Sequence, residues 1–303
     1  MLTDRKPLPS ALPPVPVPLA RAPAKEYDSS PIVAKGIAMD HSFDHAHALQ
    51  PVAEPKVNQV ALGAPIQWLR LGARDLNRSL RPSLAVGAAV AVVGWLLMAV
   101  SWRVAYLAPA LLGGFLYVAP FAAIAIYGYS RQLERGDTLD PAAARGAWRA
   151  NASSIALFGL MLAVALIFWE RVAAIVFAAF YRGEPLQFSS LVTTVLFSGA
   201  YVPLLLALGS AALLIAAVVF ALSVVSAPLL LDRPVDVITA AITSVRCCLR
   251  NPGAMLLWAA LIGSITWFGL ATFMLGLVVV FPWLAHASWH AYRAHEQETV
   301  SNA

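Results

Sequence analysis

The polarity pattern divides the chain into a polar first part and a second part built from long uncharged runs. From Ser83 onward, the stretches 83–102, 104–130, 150–169, 172–181, 185–231 and 251–292 contain no Lys, Arg, Asp or Glu. A membrane-crossing helix rises 1.5 Å per residue through a hydrocarbon layer about 30 Å thick, so it needs about 20 apolar residues. The first three stretches each predict one span. As one straight helix, 251–292 would be about 63 Å long, so it predicts two spans turning near Gly263 to Gly269. Charge placement decides the 185–231 stretch. Of the 21 Lys and Arg residues, 18 fall in 1–82, 130–152, 232–252 and the C-terminal tail, leaving Arg103, Arg171 and Arg182 elsewhere. The positive-inside rule puts those four segments on the cytoplasmic side. An even number of spans must then separate 130–152 from 232–252. That leaves one span near 200–231, with Phe188–Ser198 at the outer interface.

The expected fold is all-α: a polytopic helical membrane protein with about six spans, near 83–102, 104–129, 151–170, 200–231, 252–268 and 271–292. The spans form three hairpins, each preceded by a cytoplasmic amphipathic helix. In the first such helix, Leu69, Ala73, Leu76 and Leu80 recur at i, i+4, i+7 and i+11, one helical stripe, while Arg70, Arg74, Arg78 and Arg81 face away. Ile238, Ile242, Val245 and Leu249 repeat those offsets, with Arg246 and Arg250 on the polar side. A weaker version places Ala144 and Trp148 against Arg145 and Arg149. Asp140 before Pro141, and Asp236, suit helix N-termini. The second span of each hairpin carries a proline toward its cytoplasmic end: Pro120, Pro228 and Pro282. These recurrences predict a weak threefold repeat. The eight arginines are the candidate contacts to anionic lipid headgroups or to a membrane-protein partner.

Residues 1–65 read differently. Eleven of the 21 prolines lie there, including Pro13, Pro14, Pro16 and Pro18. This composition predicts a disordered, partly polyproline-like cytoplasmic tail. Prolines and charges stand where a signal peptide would have its apolar core, so the first span is expected to target the chain. Met1 and Met39 are both candidate starts. Residues 296–303 form a short C-terminal tail.

Overall composition agrees with the pattern. The chain has 303 residues, 60% hydrophobic and 12% charged, with a mean hydropathy of +0.72. Soluble domains carry about a quarter charged residues, so a soluble fold is excluded. The two cysteines, Cys247 and Cys248, are adjacent, which excludes a disulfide scaffold and predicts reduced thiols on a cytoplasmic helix. The net charge of +5 sits beside apolar runs, pointing to a membrane surface and not to nucleic acid.

Candidate chemistry is sparse. His41, His45 and His47 cluster in the tail, where a solvated polar tract is the simpler reading than a labile metal site. His286 and His290 share a helix face at i, i+4 and are the candidate metal or haem ligands, set among Trp283, Trp289 and Tyr292. Glu170 and Arg171 fall about 28 Å along a span that starts near Asn151, at the outer interface. Small-residue runs at Gly113-Gly114 and Gly209-Ser210-Ala211-Ala212 suit close helix packing. The chain contains no nucleotide, hydrolase or metalloprotease fingerprint. Neither an enzyme nor a cofactor is expected.

Three segments, WLRLGARDL at 68–76, APLLLDRPVDVITAAITSVRCCLRNPGAM at 227–255 and FPWLAHASWHAYR at 281–293, carry a resemblance. Over about 66–295 the chain resembles the bacterial integral-membrane family called domain of unknown function 2189. The resemblance implies location and fold more than activity. Some members carry the label of cytochrome c oxidase subunits; a catalytic subunit of that kind needs several intramembrane histidines and about twice as many spans. The leading expectation is a non-enzymatic protein of the bacterial inner membrane, with both termini cytoplasmic, acting as a scaffold, assembly or lipid-interacting element. The alternatives are a respiratory-chain accessory protein using His286 and His290, or a carrier of an apolar solute.

Overall fold

The computed structural model describes residues 57–103, 108–181 and 198–296. The Pro-rich stretch up to residue 56, its three histidines, most of the expected outer-interface segment 188–198 and the last seven residues lie outside them. Among the described residues the chain is helical, with one isolated antiparallel bridge between Val57 and Glu296.

Eleven α-helices follow in order: α1 (Ala64–Arg78), α2 (Leu80–Arg103), α3 (Ala108–Ala122), α4 (Ile124–Arg135), α5 (Pro141–Gly146), α6 (Ala152–Phe180), α7 (Val202–Ser223), α8 (Ser226–Asp232), α9 (Val237–Arg250), α10 (Pro252–Ala271) and α11 (Leu277–His295). A 3-10 turn, Ala147–Asn151, joins α5 to α6. Among the described residues, four segments are long and apolar enough to cross a membrane: Leu80–Arg103, Pro141–Phe180, Val202–Asp232 and Pro252–Ala271. The α3–α4 pair is interrupted at Ala123, just after Pro120. Helix α11 keeps Pro282 within an unbroken helix and carries His286, His290 and Arg293. The order short helix, long helix, second helix recurs three times: α1, α2, α3–α4; then α5, α6, α7–α8; then α9, α10, α11.

Local chemistry explains several boundaries. The Asp140 carboxylate accepts from the Ala142 amide at 2.7 Å, and Asp236 accepts from the Ile238 and Thr239 amides at 2.9 Å, so both expected caps form. Helix α6 runs straight through Glu170 and Arg171, which pair with each other, to Phe180. At about 43 Å it is longer than an apolar layer is thick, and residues 172–180 continue it without a break. The last turn differs from expectation. Gly263 and Gly269 both stay helical, and the chain reverses at Thr272–Gly276, where Phe273 and Met274 take positive φ of 51° and 65°. Thr272 holds this turn by donating to the Gly269 carbonyl and accepting from the Gly276 amide, both at 2.8 Å.

Helices α4, α8 and α11 all touch one another and form the centre of the bundle. Helices α1 and α2 pack along α11. The α2 face turned inward is a stripe of small residues, Ser83, Gly87, Ala91 and Gly94. The lipid-facing sides are apolar: Leu213, Leu214 and Leu256 are each about 70% exposed within the protein, at 72%, 69% and 74%. Such exposure is unstable in water and natural against acyl chains.

Candidate functional site

The polar residues of the bundle collect along one side of α11 and at one end of the three central helices. His286 is fully buried. Its Nε2 lies 3.1 Å from Ser79 Oγ and 3.0 Å from Ser83 Oγ, and its Nδ1 lies 2.6 Å from Ser130 Oγ. Ser79 already donates its hydroxyl proton to the Asp75 carbonyl at 2.8 Å. A neutral imidazole has one donor and one acceptor nitrogen. Ser83 then supplies the proton of its own 2.8 Å bond to Ser79, so the network closes with Nε2–H donating to the two serines and Ser130 donating to Nδ1. Four residues from α2, α4, α11 and the α1–α2 junction are thereby tied in one satisfied cluster. One turn on, His290 Nε2 meets Asp75 Oδ2 of α1 at 2.8 Å.

Beyond it lies a knot of six charges. Arg131 Nε stands 3.3 Å from Asp232 Oδ1, an ion pair without hydrogen-bond alignment, while its Nη1 donates to the Leu231 carbonyl at 3.1 Å. Tyr292 donates to Asp232 Oδ2 at 2.9 Å. Arg293 Nε donates to Glu134 Oε1 at 2.8 Å, and Trp289 donates to the other Glu134 oxygen at 3.0 Å. Glu296 pairs with both Arg233 and Arg293. Three arginines and three carboxylates thus neutralise one another where α4, α8 and α11 end. Around Arg293, burial opposes the charge, but the Glu134 hydrogen bond and the charges of Glu134, Glu296 and Asp232 outweigh it and raise its pKa.

Two asparagines bind the adjoining linkers in the same way. Asn151 Nδ2 donates to the carbonyls of Leu230, Arg233 and Val235, fixing the segment that leads into α9. Asn251 accepts from the Val60 amide at 2.9 Å and donates to the Asn58 carbonyl at 3.0 Å, fixing the segment that leads into α1. Residues 57–63, read from composition as tail, are held there and at the end of α11.

The predicted arginines lie at the surface: Arg70, Arg74, Arg78, Arg81, Arg149, Arg246 and Arg250 are exposed, and the Arg145 side chain is outside the described residues. The stripes beside them diverge. Leu69 and Leu76 of α1 are buried with Trp68, Gly72 and Asp75 against the bundle, chiefly on α11, so these two residues of the stripe meet protein, while Ala73 is half-buried and Leu80 is exposed. The physical reason is Gly72, whose missing side chain lets α1 come down onto the Ala287 backbone. Helix α9 does the opposite. It buries Ala240, Thr243, Ser244 and Cys247, and leaves Ile238 and Leu249 68% and 75% exposed. Burial pushes the Cys247 thiol up to about 12 and the Cys248 thiol up to about 11, so both stay protonated at neutral pH. His286 and His290 are engaged by serine and aspartate. Among the described residues no group of three or more His, Cys, Asp and Glu side chains is placed to hold a metal ion.

His295, at the end of α11, gives a pH prediction. It is 2% exposed and packs 5.5 Å from the Trp68 ring. Its Nδ1 is bonded to the Ala291 carbonyl and its Nε2 has no hydrogen-bond partner. Burial lowers its pKa below the ordinary 6.5. The unfolded chain then binds more protons below about pH 6.5, so stability is intact above that pH and falls as pH drops toward the folded value. Thermal melts between pH 8 and 5 are expected to show this decline, and His295→Phe is expected to flatten it. An equally steep decline in the variant would assign the acid sensitivity elsewhere.

The knot and the serine–histidine cluster were missed in the sequence, although the knot has a signal there. Each second helix ends with an arginine and an acidic residue within three positions: Arg131 and Glu134, Asp232 and Arg233, Arg293 and Glu296. No curated protein and no solved structure matches the chain. Most of the three segments that suggested the family lies outside the region in which a match is found. Residues 107–232, from just before α3 to the end of α8, match the family described as Predicted integral membrane protein (DUF2189).

Proposed function

We propose that the protein is a non-enzymatic component of the bacterial inner membrane, a scaffold, assembly or lipid-interacting element. In this reading it has six spans and both termini in the cytoplasm. The observation that carries it is the exposed apolar stripe of α9: Ile238, Ile242 and Leu249 are exposed on the surface of the bundle while Arg246 and Arg250 stand beside them. That is how a helix lying in a headgroup plane is built, with its apolar side in acyl chains and its cations at phosphate depth. The exposed arginines of α1 add charge from a helix that is itself anchored to protein. The respiratory reading draws less support, because His286 and His290 are already bound to side chains of the chain itself.

The test is thermal stability in nanodiscs of rising anionic-lipid content. Each arginine near an anionic surface contributes about 1 kcal/mol, worth about 2–4 °C in a protein of this size. A rise of several such steps is expected for the unaltered protein, and a clearly smaller rise for the triple variant Arg70→Gln, Arg74→Gln, Arg78→Gln. A melting temperature indifferent to lipid charge would sink the reading.

A further inference from the structure

A groove of about 620 Å³ lies between α6, the end of α7 and α9. Leu157, Leu160 and Val164 of α6 form one wall, and Ile238, Ile242 and Val245 of α9 form the other. These α6 residues are more than half exposed, so the groove is open on the outer side of the bundle. The apolar stripe of α9 is therefore the wall of a cleft. Its volume falls within the range of about 300–1,000 Å³ typical of small-ligand sites.

Resting on the lipid-interacting reading, we propose that this groove is a binding site for one anionic phospholipid of the surrounding bilayer. Location and charge favour this occupant. Helices α6 and α7 belong to segments long and apolar enough to cross a membrane, so what reaches an outward groove between them is acyl chain. The groove follows α6 for about 10 Å from Leu157 to Val164, starting about 8 Å from the first residue of that helix. A chain lying there enters from the interfacial end. Among the described lining residues Arg246 is the charged one, and Arg250 stands one turn further on. Asp236 caps the far end of α9, about 15 Å from Arg246 along the axis, and its carboxylate is held by Thr239 and the Ile238 amide. Cationic charge at one end of an apolar cleft fits a phosphodiester above its own acyl chain, and a net negative headgroup better than a zwitterionic one.

The full chain, purified in mild detergent, is incubated with phosphatidylglycerol or phosphatidylcholine of identical acyl chains and examined by native mass spectrometry. One phosphatidylglycerol per chain is expected, retained over phosphatidylcholine by about fivefold, the factor one arginine at an anionic surface supplies. Arg246→Gln should remove the preference and leave residual binding of both lipids. Ala241→Phe and Leu160→Trp, which fill the groove from opposite walls, should each reduce retention of both. The α1 triple variant should keep the bound phosphatidylglycerol, so a failure there concerns the wider reading and not this site. Equal retention of the two lipids by the unaltered chain overturns the proposal. So does undiminished retention in groove-filled variants that elute like the unaltered protein, or a lipid-free dimer.

Discussion

Asp232→Ala is expected to destabilise the folded protein by about 3–5 kcal/mol, the cost of removing one partner from a largely buried ion pair. The Asp232 side chain is 14% exposed and that of Arg131 is 23% exposed, so water can rescue little of the charge left behind. The carboxylate meets groups from two other helices: Arg131 of α4, and Tyr292 and Arg293 of α11. Its loss strands the Tyr292 hydroxyl as well. Arg293 keeps Glu134 and Glu296, so the damage should centre on the α4–α8 contact. The decisive comparison is the double variant Arg131→Met, Asp232→Leu. Replacing a buried pair by apolar groups of similar size is often neutral. The double variant is therefore expected to recover the part of the lost melting temperature that comes from the unpaired Arg131 charge, leaving the smaller cost of the stranded Tyr292 hydroxyl. A single variant as stable as the unaltered protein would mean that the knot is solvated and carries no weight.

The knot also separates what the sequence makes legible from what it hides. Hydrophobic run length is a local property, and it gave the all-helical membrane architecture and the places of the long helices. Caps are local too, so Asp140 and Asp236 could be read directly. The direction of an amphipathic stripe is not local. Leu69 and Leu76 have the same spacing as Ile238 and Val245, yet one stripe meets α11 and the other lines an open groove. The difference lies in Gly72, which admits a neighbour, and in Ala240 and Ser244, which make the opposite side of α9 narrow enough to bury. Partners distant in sequence were hidden for the same reason. His286 suggested a ligand because its serine partners lie 207, 203 and 156 residues away. The glycines show the limit most plainly. Gly209, in a run that suggested packing, has nothing within 4 Å of where its Cβ would stand.

Gly87→Leu is therefore expected to prevent assembly, and Gly87→Ala to weaken it strongly, whereas Gly209→Ala should be harmless. A Cβ built on Gly87 would lie 2.1 Å from the Val278 carbonyl oxygen and 3.0 Å from Pro282 Cδ. The obstacle is backbone on a helix anchored at both ends, by the Thr272 turn and the charge knot, so no rotamer change relieves it. Overpacking costs about 1–3 kcal/mol even where side chains can adjust, and occasionally more. Helix propensity returns only about 1 kcal/mol on replacing glycine by alanine. In a bilayer, apolar burial does not drive helices together, so close backbone approach at small residues is what the α2–α11 contact depends on. Separating α2 from α11 would also lengthen the bonds from Ser83 to His286, coupling the loss to the buried cluster. Gly209 has only the propensity term and should gain up to about 1 kcal/mol as alanine. Melting temperatures and size-exclusion profiles of the three variants in one detergent measure the contrast. A Gly87→Leu protein that elutes and melts like the unaltered chain would show that α2 and α11 are not in register as described.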